Sequence, residues 1–338
     1  MHLVVADGLG DTISQNIHVW DVGKPKGRTD RIKNITKSVL QKALVLEGDI
    51  YHLHDPELIP IGIKLKKKGK QVIFDIHENI ALQIKNKIYL PRFVRFPLAL
   101  GFRLYEQWAL RQFDALIMAE DSYWSYYQKI SLPKEVILNL PDVEALKNFR
   151  VTERNEYGLF YIGGISNERG LDVTVAALKL VKQHIPDIYM HYIGNVYDNI
   201  LETLDIEGIE ENIRFYGAMP LYEGMMISQK AAIGLSILKP IDNYKHSYST
   251  KVFEYMAIGL PVITSDFPLY QNIVEKYQCG ICVNPEDPEA IAKAILSILA
   301  DKKRVKTMGK NGIQTAENIF SWEQERKKLL SLYRELLS

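Results

Sequence analysis

Two short segments in the second half of the chain hold the side chains best suited to chemistry. Tyr161-Ile-Gly-Gly-Ile-Ser-Asn-Glu-Arg-Gly-Leu-Asp172 reads as a strand, a glycine turn and the start of a helix that continues VTVAALKLVKQ. Gly163 and Gly164 let a ligand approach the backbone, Arg169 supplies a fixed positive charge, and a helix start adds oriented N–H donors. That combination suits a diphosphate, although a strand-to-helix turn with a solvated arginine would look the same. The second segment is Tyr248 to Ser265, YSTKVFEYMAIGLPVITS. Ser249 and Thr250 are helix-capping types, Lys251 and Glu254 share one helix face, and Gly259-Leu260-Pro261 ends the helix before a buried strand. Lys251 and Glu254 could form a helical salt bridge worth on the order of a few tenths of a kcal/mol. Alternatively, the carboxylate accepts both hydroxyls of a ribose while the lysine meets phosphate at a helix N-terminus.

A second constellation lies in the first half. Asp49-Ile-Tyr-His-Leu-His-Asp-Pro-Glu57 puts His52 and His54 on one face of a strand, with Asp55 and Glu57 where the strand meets its loop. Phe74-Asp-Ile-His-Glu78 does something similar one strand later, ending on His77 and Glu78. His-x-His beside carboxylates also begins several metal-dependent hydrolase sites, but no later His-Asp pairing in the sequence completes a ligand set, so no metal is assigned. Functional groups in a parallel sheet collect at the carboxyl ends of strands, which would place His54, Asp55, His77 and Glu78 in a cleft. His77 and Glu78 could equally cap strands and bind backbone.

These residues need strands and crossover helices to position them, and the sequence alternates between the two. Strand candidates in the first half are His2 to Asp7, Ile17 to Val22, Asp49 to His54, Gln71 to His77, Ala115 to Ala119 and Val136 to Asn139. In the second half they are Gly158 to Gly163, Ile188 to Gly194, Ile213 to Gly217, Ala232 to Ile237, Pro261 to Ser265 and Gly280 to Val283. The polar stretch Asn139 to Gly158 suits a linker, so the expected domains are 1–145 and 146–321, with an amphipathic helix over 322–338 crossing back to the first. The expected class is α/β, with two Rossmann-like domains facing across a cleft.

The opening of the chain is unusual for such a domain. GLGDTISQN separates two strand-like runs with no helix between, as though the domain lacked its first strand and helix. Gly8 and Gly10 are therefore read as a plain turn, because no helix N-terminus follows to hold an anion.

Composition narrows the functional classes. In 338 residues, Lys+Arg 42 against Asp+Glu 41 leaves a net charge of +1, so no global field draws the chain to nucleic acid. No apolar run reaches the roughly 18 residues of a membrane span, and the first residues lack signal-peptide regions, so a cytoplasmic location is expected. Cys279 and Cys282, in CGICVNP, have no second pair and no helix start, and are read as packing residues. The run from Leu90 to Arg111 mixes arginines with large aromatics, and Lys64 to Lys70 is strongly basic, which would suit peripheral contact with the inner face of the plasma membrane.

The Gly-Gly and Ser249 to Ser265 segments, followed by DFPLYQNIVEKYQCGICVNPEDPEAIAKAI, resemble the retaining, metal-independent glycosyltransferases of the GT-B fold, particularly family 4. The resemblance covers most of the chain and is strongest from Tyr157 to Leu296. It implies that Glu254 holds the ribose of a nucleoside diphosphate sugar, a UDP-sugar, and that Arg169 and Lys251 stabilise the leaving diphosphate. The binding set would be Gly163, Gly164, Arg169, Ser249, Thr250, Lys251 and Glu254. On the acceptor side it implies that His54 faces the transferred sugar, with Asp55 as a second catalytic residue and His52, His77 and Glu78 around them. His246 stands where the family has its first glutamate, and Gly164 where a second basic residue often lies. The implied reaction is transfer to a saccharide or lipid-linked acceptor in cell-surface polysaccharide or glycolipid synthesis, with no cofactor. The alternatives are a nucleotide-sugar epimerase of the same fold and a non-catalytic nucleotide-sugar-binding protein.

Overall fold

A computed structural model describes residues 1–14, 16–86, 91–151, 157–197 and 199–338. The chain divides into two compact units, Met1–Leu138 with Lys328–Ser338, and Asn139–Lys327. The segment from Asn139 to Arg150 packs on the second unit from its start. Val143, Leu146 and Phe149 are buried, and Arg150 Nε donates to the Ala257 carbonyl at 2.8 Å. Leu90, the first residue of the basic aromatic run, and residues 152–156 of the polar stretch before Gly158 lie outside the described residues.

In the first unit, strands β1 (His2–Val5), β2 (Thr12–Ser14) and β3 (Ile17–Asp21) form a small sheet of order β1-β3-β2. β1 runs parallel and β2 antiparallel to β3. β2 has no expectation in the sequence: Thr-Ile-Ser is three exposed residues with no apolar alternation. Among the described residues no helix separates β1 from β3. The backbone N–H groups of Gly8 and Gly10 donate to the Asp21 carboxylate at 3.2 and 3.0 Å, so an internal anion already occupies this glycine turn.

The rest of the unit is a parallel sheet of order β4-β5-β6-β7: β4 (Ile50–Leu53), β5 (Gln71–Ile76), β6 (Ala115–Met118) and β7 (Lys134–Val136). The last strand lies earlier than Val136 to Asn139, because its partner β6 ends at Met118, opposite Val136. Helices Ile59–Lys67 and Arg92–Leu110 make the crossovers and bury Ile59, Leu65, Ala109 and Leu110 against Val72, Phe74 and Leu116. The last helix, Trp322–Leu337, contributes Leu332 as a buried residue, and its carbonyl at Leu336 accepts from Gln71 Nε2 at 2.5 Å.

The second unit holds six parallel strands: β8 (Gly158–Ile162), β9 (Tyr189–Ile193), β10 (Ile213–Phe215), β11 (Ile233–Ser236), β12 (Val262–Ser265) and β13 (Gly280–Val283). Their order, β10-β9-β8-β11-β12-β13, is the doubly wound nucleotide-binding order, with its reversal between β8 and β11. All residues of β8, β11 and β12 are buried, which explains why these runs lack apolar-polar alternation. Cys279 is buried and Cys282 half-buried, and both thiols are free. Burial pushes the Cys279 thiol up to about 12, the state of a packing residue.

Candidate active site

In the second unit, the polar groups gather where the strand order reverses. β8 is followed by Gly163, whose φ of +129° suits glycine alone and whose N–H donates to the Ile193 carbonyl at 2.9 Å. A Cβ at Gly163 would stand 3.2 Å from Lys251 Nζ, so the turn and the ammonium group are near neighbours. A one-turn 3-10 helix, Asn167–Arg169, and Gly170 (φ +74°) then lead into helix Leu171–Lys182. A Cβ at Gly170 would come within 2.7 Å of Ile237, so glycine also permits the close approach of this turn to the end of β11.

Helix Thr250–Ala257 follows β11 and brings in Lys251 and Glu254. Gly259, at φ +71°, terminates it, with the Leu260 N–H donating back to the Tyr255 carbonyl at 2.9 Å. Ser249 occupies the N-cap position, but its side chain does not cap. Its hydroxyl instead meets that of Ser236 at 3.1 Å, and its N–H donates to the Tyr270 hydroxyl. The capping expectation is corrected there, because a neighbouring strand hydroxyl competes for the serine. Thr250 is exposed.

Lys251 is 9% exposed and stands over the Tyr161 ring, 5.2 Å from its centroid. Among the described residues no carboxylate lies within ion-pair distance of it, so the helical salt bridge with Glu254 does not form. Burial, reinforced by the Arg169 charge and opposed by Glu254, lowers its pKa to about 8. Burial raises the Glu254 carboxyl above its usual range, with Lys251 opposing. For Arg169 burial acts downward, but the hydroxyls of Tyr244 and Tyr161 outweigh it and hold the guanidinium above its usual value. Two partly desolvated cations beside a glycine turn, with a carboxylate one helical turn on, form an anion-binding arrangement. Tyr197 lies against Gly164, where a Cβ would come within 2.4 Å of its ring. Tyr161, Tyr197 and Tyr244 were not legible as site residues, since an aromatic beside a motif usually belongs to the core. His246 is exposed at the end of helix Asp242–His246.

In the first unit, the ends of β4 and β5 bring three histidines onto one carboxylate. Asp75 Oδ2 lies 3.4 Å from His52 Nε2, 3.4 Å from His54 Nδ1 and 3.3 Å from His77 Nε2. The register explains the convergence. His52 faces Ile73 across the pair, so with a period of two His52 and His54 share a face with Asp75 and His77. His52 Nδ1 also meets the Tyr333 hydroxyl at 2.6 Å, and the Tyr123 hydroxyl donates to the His77 carbonyl at 3.1 Å. Burial acts to raise the Asp75 carboxyl, but the three imidazoles hold it well below the usual carboxylate range. Asp75 in turn holds the His77 imidazole above its usual value.

The other expected residues go elsewhere. Asp55 pairs with Arg31 at 3.3 Å, and Glu78 accepts from Gln83 Nε2 at 2.7 Å. Asp75 and Tyr333 were missed. The repeat of polar residues two apart, His52-x-His54 and Asp75-x-His77 on successive strands, is the signal that could have found Asp75.

The family model described as Glycosyl transferases group 1 matches residues 142–315, which hold all the second-unit groups just described. A D-inositol 3-phosphate glycosyltransferase of Segniliparus rotundus is 25% identical over 189 residues, 54% of this chain and 41% of that protein. The lipopolysaccharide core biosynthesis mannosyltransferase LpcC of Rhizobium leguminosarum bv. viciae is 23% identical over 276 residues, 74% of this chain and 75% of that protein. The chain spans about half the length of the first curated relatives it matches, 41% and 51% of two of them. Among solved structures, sucrose-phosphate synthase from Thermosynechococcus elongatus superposes with a TM-score of 0.71 at 19% identity, over 99% of this chain and 88% of that one. Anabaena HepE in complex with UDP gives 0.69 at 14% identity, over 94% and 86%. The fold is thus the α/β GT-B fold, and since the matched family segment spans half of the sequence, the chain belongs to the glycosyl transferases group 1.

Proposed function

We propose that the chain transfers a sugar from a nucleoside diphosphate sugar, a UDP-sugar, to a saccharide or lipid-linked acceptor in cell-surface polysaccharide or glycolipid synthesis, with retention of configuration. The observation that carries this reading is Lys251 beside the Gly163 turn, with Arg169 close enough to depress its pKa. Support for the donor comes from relatives: HepE has been solved with UDP and with UDP-glucose. The pathway reading leans on LpcC, a mannosyltransferase of lipopolysaccharide core synthesis.

In this reading Glu254 accepts the ribose hydroxyls, and the Gly163 and Gly164 backbone approaches the diphosphate. Arg169 and Lys251 stabilise the charge that grows as the bond from the sugar's anomeric carbon to diphosphate oxygen breaks. The donor step needs no metal ion, since these two cations face the leaving group. An acceptor hydroxyl forms the new bond to that carbon. Its proton passes to a leaving phosphate oxygen or to Asp55 or Glu78. His54, with His52 and His77 beside it, contacts the sugar or the acceptor.

The test is a thermal-shift panel of UDP-, GDP- and dTDP-sugars, followed by incubation of the stabilising sugar with and without candidate acceptors. Transfer that needs acceptor supports the proposal. Conversion of the free nucleotide sugar alone identifies an epimerase, and stabilisation without any consumption identifies a binding protein.

A second reading concerns location. Among the described residues no helix is long and apolar enough to cross a membrane. Helix Arg92–Leu110, however, exposes Phe93 by 82%, Phe96 by 63% and Trp108 by 55%, with Arg92 and Arg103 exposed along it. Aromatic side chains interleaved with arginines suit the surface of an anionic membrane. Sedimentation with anionic vesicles tests this, and failure to bind at low salt would remove the idea.

A further inference from the structure

We propose that His52, His54, His77 and Asp75 bind one divalent transition-metal ion, zinc by the chemistry of its donors. The site lies in the first unit and goes beyond the transfer reaction proposed above: it gives the three histidines to an ion in place of direct contact with sugar or acceptor, and leaves the donor step on Arg169 and Lys251 unchanged.

The distances favour coordination over hydrogen bonding. Charge-assisted N–H···O bonds to a carboxylate run about 2.7–2.9 Å. All three imidazole nitrogens instead stand 3.3–3.4 Å from the single oxygen Asp75 Oδ2. Ligand atoms about 2.0–2.1 Å from a tetrahedral zinc ion are themselves separated by about 3.3–3.4 Å. His54 Nδ1 and His77 Nε2 are also 3.3 Å apart, so with Asp75 Oδ2 they form a nearly equilateral triangle. An ion at bonding distance from all three would stand about 0.7 Å above its plane. One ligand atom from each of His52, His54 and Asp75 also lies within 4.8 Å of the others, so His52 stands within reach as the fourth donor once its ring turns out of its stack on His54.

The surroundings support the same reading. Asp75 is 9% exposed, and both its Oδ1 and His52 Nε2 are buried without a hydrogen-bond partner. An unpartnered buried nitrogen is costly, and a cation bound to His52 Nε2 would satisfy it. His52 is oriented from behind: the Tyr333 hydroxyl engages Nδ1 and leaves Nε2 facing Asp75. A hydrogen bond to the second ring nitrogen is the usual support of a metal-binding histidine. Three imidazoles and one carboxylate suit zinc and its neighbours better than calcium or magnesium, which prefer oxygen. Four protein donors close a tetrahedral shell, so the ion would be structural, tying the ends of β4 and β5 together.

The experiment strips the whole chain with a chelator and titrates it with cobalt(II), then with zinc. The expected result is one equivalent of cobalt with the visible absorption of a four-coordinate ion, its displacement by zinc, and a rise in Tm with zinc. His54→Ala, at an exposed position, and His77→Ala should each weaken binding at least tenfold, while His184→Ala on the second unit should not. Circular dichroism of the variants separates loss of binding from loss of fold. Absence of saturable cobalt or zinc binding by the folded wild-type chain, or equal binding by folded His54→Ala and wild type, would overturn the proposal.

Discussion

The ammonium group of Lys251 rests on the face of Tyr161, 5.2 Å from the ring centroid, at a position 9% exposed to solvent. A buried cation over an aromatic face keeps part of its stabilisation without an anion, yet remains poorly solvated. Its pKa near 8 follows, with burial the main cause and Arg169 the second. A bound diphosphate would favour the charged form and draw a proton onto Lys251.

Nucleotide binding should therefore take up a proton above pH 8. UDP affinity should fall by up to about tenfold per pH unit there, and Lys251→Met should remove that dependence. Titration calorimetry in buffers of different ionisation enthalpy measures the proton directly. The unliganded chain responds in the opposite sense. Between about pH 8 and the usual lysine value of 10.5 the unfolded state holds the proton the folded state has lost, so this group's contribution to stability rises with pH. Buffer-independent binding enthalpies in wild type would remove the assignment.

Arg169 and Glu254 should separate kinetically. Glu254→Ala removes hydrogen bonds made equally in the ground and transition states, so it should weaken UDP binding by roughly ten- to a hundredfold. Arg169→Ala removes a charge whose value grows as the leaving group forms, and should lower kcat by roughly 10²- to 10³-fold with a smaller change in KM. Steady-state kinetics with a UDP-sugar checks both. Wild-type-like constants in the two variants would dismiss the site.

The candidate residues of the second unit were legible because they are local. Gly163, Gly164 and Arg169 sit in one strand-turn-helix unit, and Lys251 and Glu254 in one helix, so their spacing carries the geometry. Groups brought in across the fold left no such trace. Tyr333 reaches His52 from 281 residues away, and Asp75 meets His52 and His54 only through the register of β4 with β5. The fold was legible where buried strands form uninterrupted apolar runs, as in β6 and β8. β2, with three exposed residues, was invisible. The sequence pattern makes Ser249 a helix cap, because local patterns cannot report Ser236, which claims its hydroxyl instead.

The glycine at 194 makes a sharper structural prediction than those of the motif. It adopts a φ of +136°, and a Cβ there would lie 1.9 Å from the Gly163 carbonyl oxygen, a backbone atom with no room to retreat. Gly194→Ala should cost about 2–4 kcal/mol and distort the Gly163 turn. Gly208→Ala is the matched control, since it has φ +79° but nothing within 4 Å. Its loss should be about 1–2 kcal/mol, from backbone strain alone. Urea denaturation of both variants measures the difference, and equal losses would refute the steric account.

Glu106 offers a test of electrostatics away from Lys251. It is 4% exposed on helix Arg92–Leu110 and accepts a hydrogen bond from the Tyr127 hydroxyl at 3.1 Å. Burial raises its pKa from 4.5 to about 7, with Tyr127 and Arg103 opposing. Across that window the folded state keeps a proton that the unfolded state has released. This group's contribution to stability therefore falls as pH rises from 4.5 to 7 and stays reduced above it. Glutamine preserves the shape and a hydrogen-bonding oxygen but cannot ionise. Glu106→Gln should gain stability relative to wild type between pH 4.5 and 8, on the order of 3 kcal/mol. Denaturation of wild type and variant at both pH values isolates the term, because every other titrating group is common to the pair. A stability difference that does not change with pH would show that Glu106 ionises normally in the folded chain.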